Sequence, residues 1–366
     1  MSPVSGSVSV NNSEIHNFYA GPGKLPLSVL ERIENELYDY RNTGMSIMEI
    51  SHRAPPVVEL LERTKEKIRR LMGLADTDAV LFLQGGGSMQ FHMVPMNLSE
   101  EGDAVDYVDT GYWTTKAINA AQAMGRDVGI VARDHGAIPS DFDSRPDSKY
   151  LHICSNNTVV GTQWHDFPEV DAPLVADMSS DILSRRIDSS QFGLIYAHAQ
   201  KTIGAAGVTV VIVPQATLER IPDGLPPFFD YRAHNAASSN YHTPPVFAIY
   251  VVECMLDWIE KEMGGMVALE ERNKRKAELL YSCLDHSGLF NCDVEPDSRS
   301  LMNVVFDLAD QALSESFSRE AREAGLIGLD GHRSRGGFRA SIYNAVEPDD
   351  VKSLAEFIAE FERRRG

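Results

Sequence analysis

Lys201 raises the first chemical question. It lies in FGLIYAHAQKTIGAAGVTVVIV, Phe192 to Val213, where two apolar, β-branched runs flank a polar hinge. Runs of this kind belong to strands buried on both faces of a sheet. A lysine at the mouth of such a core needs a partner or a covalent use. Four other apolar runs end in residues that can do chemistry. AVLFLQ leads into Gly85, Gly86, Gly87 and Ser88 and then a helical pattern, and backbone N–H groups at a helix start suit a phosphate. Gln90 stands where a third glycine would complete a dinucleotide fingerprint, which disfavours a dinucleotide. DAVDYVDT delivers Trp113, a plane on which a flat ring can stack, and KYLHICS delivers Thr158, a short hydroxyl. APLVADMSS ends in Asp177, a carboxylate that needs a cation or a hydrogen-bond donor if buried. Taken singly, the glycine run favours a phosphate over a simple tight turn, whereas an aromatic such as Trp113 is more often ordinary packing and a residue such as Thr158 more often part of a turn.

Ligands of open parallel sheets bind beyond the carboxyl ends of the strands. A phosphate cradle, a stacking aromatic, a hydroxyl, a buried carboxylate and a lysine at five such ends form the set that pyridoxal 5'-phosphate requires. The lysine amine condenses with the aldehyde, and the aspartate pairs with the pyridine nitrogen so that the ring draws electrons. Linked in this way, Lys201 carries no lone ammonium into an apolar interior, where an unpaired charge is costly.

The elements that position these residues follow from the same pattern. From about Leu25 to Pro245, short apolar runs alternate with longer amphipathic or irregular ones, which predicts an α/β domain with a mainly parallel sheet covered by helices on both faces. PPVFAIYVVECMLDWIEKEM reads as a long helix bridging to the next unit. After a helix through GGMVALEERNKRKAELLYSCLDHS, the strand-like SLMNVVFDL and GFRASIYNA and the helical SESFSREAREAGL and PDDVKSLAEFIAEFERRRG predict a smaller C-terminal α+β domain. The expected division is a flexible leader over 1–16, a large domain over 17–265 whose residues 17–26 pack on the small one, and a small domain over 266–366.

Composition limits the partners. The chain has 366 residues, 43% hydrophobic and 8% aromatic, and a formal charge of −19, which argues against nucleic acid or an anionic membrane. An anionic substrate must then be met by local arginines, such as those in GHRSRGGFR. Cys154, Cys254, Cys283 and Cys292 form no CxxC pair, so neither a disulfide framework nor a metal site is expected, and a cytoplasmic location is. No apolar stretch reaches the ~20 residues of a membrane span.

The motifs NFYAGPGKLP, GMSIMEISHR, FLQGGGSMQF, DYVDTGYW, ADMSSDILSR, AQKTIGAAGVTVVIV, HTPPVFAIY and GHRSRGGFRASIYNA run in order from about Asn17 to Gly366. The chain resembles the phosphoserine aminotransferase family, class V, fold-type I pyridoxal-phosphate enzymes. The resemblance implies Lys201 as the covalent lysine, Asp177 at the pyridine nitrogen, Trp113 stacking and Thr158 near the ring oxygen. It implies Gly87, Ser88 and Gln200 at the phosphate, with His242 and Thr243 supplied by a neighbouring subunit, hence a homodimer with active sites at the interface. Substrate recognition falls to His52 and Arg53 across the dimer and to His332, Arg333 and Arg339. A guanidinium grips carboxylate or phosphate as a fork, which suits Arg339 to the α-carboxylate and the others to the distal anion. Relatives commonly have asparagine at the His242 and Thr202 positions and glycine at the His198 position, while some have arginine at the Ser88 position; Arg335 has no family role and is read as a rim charge.

The implied reaction passes an amino group between O-phospho-L-serine and 2-oxoglutarate, with 4-phosphohydroxy-L-threonine as a second substrate. Rival readings are another class V enzyme, an alanine–glyoxylate aminotransferase or a cysteine desulfurase, and a non-catalytic sensor of a phosphorylated metabolite. Cys283 and Cys292 sit in no flexible loop of the kind a desulfurase needs, and an intact Lys201 and Asp177 speak against the sensor.

Overall fold

The structure is a computed structural model and describes residues 15–365. Its main sheet has seven strands: β1 (Ala79–Leu83), β2 (Ala104–Asp109), β3 (Asp127–Arg133), β4 (Leu151–Cys154), β5 (Leu174–Asp177), β6 (Phe192–His198) and β7 (Thr209–Val213). They lie in the order β1-β7-β6-β5-β4-β2-β3. β7 is antiparallel to both neighbours, and the other pairs are parallel. Alternation along each strand feeds two cores. Val80 and Phe82 of β1, with Val210 and Ile212 of β7, face α1 (Pro55–Met72) and the long helix Val246–Lys261. Ala79, Leu81, Leu83, Val211 and Val213 face the opposite layer, with Phe91, Val94 and Ile118 from the helices Gly86–Leu98 and Tyr112–Ala123. Both faces are therefore covered, which explains the continuous apolar runs.

Six of the seven strands are legible as apolar runs. The seventh, β3, forms an edge, is half exposed along its length, and is bounded by Asp127 and Arg133. Charges on an edge blunt pairing with other chains, and here they also erase the strand signal. The segment after β4 is a two-stranded hairpin, Asn156–Asn157 with Thr162–Gln163, rather than a helix. Helix α1 begins with Pro55 in its first turn and stops at Gly73, whose φ of +65° suits a residue without Cβ.

The C-terminal part has its own core. The antiparallel strands Phe290–Asn291, Asn303–Leu308 and Phe338–Ser341 pack against the helices Met266–Asp285, Ser314–Glu323 and Pro348–Arg365 through Val304, Phe306, Phe317, Leu354, Ile358 and Phe361. The last helix carries Asp349 and Asp350 in its first turn and Arg363 to Arg365 in its last, matching its dipole.

Residues 1–14 of the expected leader lie outside the described residues. His16, at its expected end, is already paired: His16–Asn17 runs parallel to Leu326–Ile327, and the His16 ring lies 2.7 Å from Asp350. The strap then crosses to the main sheet, where the Gly23 N–H donates to the Gln200 carbonyl at 2.8 Å. It passes so close to Gly328 that a Cβ there would sit 2.6 Å from the Tyr19 nitrogen. Among the described residues, no helix is long and apolar enough to cross a membrane.

Candidate active site

The carboxyl ends of β1, β2, β4, β5 and β6 converge on one cavity of about 410 Å³. Of the residues singled out in the sequence, Gly87, Ser88, Trp113, Thr158, Asp177, Gln200, Lys201, His332 and Arg339 line it. Lys201 follows β6 in a turn fixed by the Ile203 N–H donating to the Ala199 carbonyl. Its Nζ stands 5.5 Å from the centroid of the Trp113 ring and makes no salt bridge among the described residues. Trp113 is held by its own Nε1–H, which donates to Thr158 Oγ1 at 3.1 Å. Asp177, at the end of β5, is buried and accepts the Ser179 N–H on Oδ1 at 2.9 Å. Its Oδ2 takes no hydrogen bond among the described residues, so an acceptor faces the cavity unfilled. Gly87 borders this carboxylate: a Cβ there would stand in ordinary contact, 3.5 Å from Asp177 Oδ2.

Glycine is required at the cradle for backbone reasons too. Gly85 has φ +89° and Gly86 φ +65°, and a Cβ on Gly85 would strike the Met89 Cβ at 2.5 Å. Helix Gly86–Leu98 then starts with N–H groups turned to the cavity and no side-chain cap. On the far wall, Arg339 comes from the C-terminal sheet. Its Nη1 donates to the Thr158 carbonyl at 2.7 Å, while its Nε is buried with no acceptor among the described residues. Burial holds the Arg339 guanidinium below its usual range, and burial beside Arg339 and Arg333 does the same to His332. Both shifts are what an anion arriving between them would reverse.

His52, Arg53, His242, Thr243 and Arg333 do not line this cavity in the same chain. His52 and Thr243 lie 3.5 Å apart and line a separate depression with Met48 and Gly207. Arg53 and Arg333 are exposed. The His242 ring packs 5.0 Å from Phe228 and 5.9 Å from His234, and both of its buried ring nitrogens lack a partner among the described residues. Arg335 is not a loose rim charge, since it pairs with Asp307 at 2.6 Å.

Several cavity residues carried no assignment in the sequence reading. Ala20 and Gly21 arrive with the strap, within the motif NFYAGPGKLP, and Asn156, Ser179, Ser180 and His198 complete the floor. Asn156 donates to Ser180 and to Asn303, tying the large sheet to the C-terminal one behind the cavity. Asp109, in the motif DYVDTGYW, is buried and accepts from Thr114, Thr115 and the Gly111 N–H, which orients the helix that presents Trp113. Burial pushes its carboxyl up, yet these donors and His135 hold it below the usual range. Motif strings cover Ala20, Gly21, Asp109, Ser179 and Ser180 but not Asn156 or His198, and hydrophobic patterning is silent about all of them.

The arrangement fits pyridoxal 5'-phosphate: an unpaired amine over an indole, a buried carboxylate with one oxygen open, a helix start crowded against added side chains, and an orphaned guanidinium donor. The sheet order with a single reversed strand defines a fold-type I transferase. A family model for class-V aminotransferases matches residues 15–354. The chain is 51% identical to the phosphoserine aminotransferase of Desulfatibacillum aliphaticivorans over 97% of this chain and 99% of that one. It is 52% identical to that of Geobacillus kaustophilus over 95% and 98%. It superposes on the solved phosphoserine aminotransferase of Bacillus circulans subsp. alkalophilus with a TM-score of 0.94 at 43% identity, covering 97% and 100%. The pyridoxal-phosphate-bound enzyme of Trichomonas vaginalis gives 0.90 at 36%, covering 94% and 99%. The chain belongs to the class-V aminotransferases and, within them, to the phosphoserine aminotransferase family.

Proposed function

We propose that this aminotransferase exchanges the amino group of O-phospho-L-serine with 2-oxoglutarate, giving 3-phosphohydroxypyruvate and L-glutamate, with pyridoxal 5'-phosphate held in the Lys201 cavity. The observation that carries the reading is the Lys201 amine, 5.5 Å from the Trp113 ring centroid, in one cavity with Asp177 and Arg339. When bound, the cofactor supplies an electron sink for the pair left as the substrate Cα–H bond breaks. Lys201 Nζ is the base that takes that proton and later returns one. Asp177 keeps a proton on the ring nitrogen, for which its open Oδ2 is suited. Trp113 lies as a flat wall that orients the ring and excludes water. The Gly86–Ser88 N–H groups and Gln200 hold the phosphate.

Arg339 takes the α-carboxylate that both amino donors share, using the donors its bond to Thr158 leaves free. The distal phosphate or carboxylate falls to His332 and Arg333, with His52 and Arg53 supplied by a second copy of the chain. His242 and Thr243 of that copy complete the phosphate site. A homodimer in the cytoplasm follows from this reading, and 4-phosphohydroxy-L-threonine, with the same α-carboxylate and phosphate, is a second substrate. A coupled assay with 2-oxoglutarate tests it by comparing phosphoserine with serine and alanine. Phosphoserine should be preferred by about 10²-fold or more in kcat/KM, since two charge-assisted contacts are at stake; equal rates for the three would overturn the reading.

A further inference from the structure

We propose that His198 is an additional phosphate-facing donor of the cradle, acting through Nδ1–H; this rests on the cofactor reading above. The ring lines the Lys201 cavity and belongs to the last residue of β6, three positions before Lys201. Its place is fixed on two sides. The backbone N–H of His198 donates to Ser179 Oγ at 3.1 Å, and its Nε2 accepts the Gly207 N–H at 3.4 Å. A nitrogen that accepts a hydrogen bond carries no proton, so a neutral ring must hold its proton on Nδ1. Burial first, and then the Lys201 ammonium, pull this imidazole below its usual range, with Asp177 pulling the other way. At neutral pH the ring is therefore uncharged with one N–H.

That N–H is turned to the glycine run. Nδ1 is the ring atom nearest Gly86, 3.1 Å from where a Cβ would stand, and it has no acceptor among the described residues. A neutral N–H donor beside backbone N–H groups adds to an anion site without adding a charge that Lys201 would repel. Asparagine places an amide N–H near the Nδ1 position, whereas leucine offers none, so the two substitutions separate donation from bulk.

The test is direct binding to the cofactor-free chain, followed by the visible absorption band of bound pyridoxal 5'-phosphate and, separately, by calorimetry with inorganic phosphate and with unphosphorylated pyridoxal. His198→Leu should weaken pyridoxal 5'-phosphate and inorganic phosphate roughly tenfold, the scale of one hydrogen bond to a charged group, and leave pyridoxal unchanged. His198→Asn should stay within about threefold of the parent chain for all three. Equal affinities for the parent and His198→Leu overturn the inference, as does an equal loss in His198→Leu and His198→Asn, or a loss that extends to pyridoxal. Should the parent chain develop no band with pyridoxal 5'-phosphate, the cofactor reading itself falls, which keeps the two failures apart.

Discussion

The side chains of the cavity are held by very few contacts each, so single substitutions separate chemistry from structure. Lys201 makes no salt bridge among the described residues, and its removal leaves no buried partner unsatisfied. Lys201→Ala should lower kcat by at least about a thousandfold, the weight of a positioned acid–base group, with the melting temperature unchanged; stopped-flow and calorimetry on the same preparation check both halves. Lys201 and Asp177 were legible because each ends an apolar run, where charge is out of place. The strap residues Ala20 and Gly21 and the amide of Asn156 were not, because nothing local marks a residue that meets its partners across more than a hundred positions of chain. The packing of the His242 ring against Phe228 and His234 was not legible either, because its motif carries no signal for aromatic neighbours.

At the scale of elements, the turn after Phe338–Ser341 locks the arginine arm to the lysine loop. Lys276 is fully buried and donates to the carbonyls of Ile342, Tyr343 and Val346 at 3.0, 2.7 and 3.1 Å. Three acceptors satisfy three ammonium donors, so the geometry calls for the charged form even though burial pulls the group well below its usual range. Asn344 then donates to the Leu183 and Thr202 carbonyls at 2.9 and 3.2 Å, the second of these next to Lys201. Asn344→Ala should cost about 1–3 kcal/mol in urea unfolding by orphaning buried carbonyls, and should lower kcat while leaving KM for glutamate nearly unchanged. A loss of stability with kcat intact would mean that the turn is only a packing element. The existence of these elements was readable from periodicity, whereas β3 was not, since a half-exposed edge strand has neither a continuous nor a clean alternating pattern.

At the scale of the whole molecule, buried histidines set the acid limit of stability. His152 is fully enclosed, bonded only to the Tyr196 hydroxyl at 2.9 Å, and burial drives it down to about 3. The unfolded chain binds this proton from about pH 6.5 and the folded chain does not. Its contribution is therefore fully present above about pH 6.5 and is lost as pH falls toward 3, with a slope of up to about 1.4 kcal/mol per pH unit. His152→Gln should flatten the dependence of unfolding free energy on pH between those limits, and an unchanged slope would assign it to other groups. Assembly is the second property at this scale. Met48 is 59% exposed beside His52 and Thr243, in segments that also expose Tyr38, Met45 and Val58. On the proposed homodimer, Met48→Asp should shift the protein to monomer in light scattering and reduce turnover by about tenfold or more, because the proposed phosphate and distal-anion sites would each lose residues.

The strap is stitched to the C-terminal lobe at Leu326–Ile327 and Asp350, and a few residues later to the Lys201 loop at Gln200. Any swivel of that lobe must therefore tug on Ala20 and Gly21, which line the cavity. Gly328 is the rivet of this harness, since the strap lies against its bare backbone. A methyl group at that one spot would push the strap off the lobe.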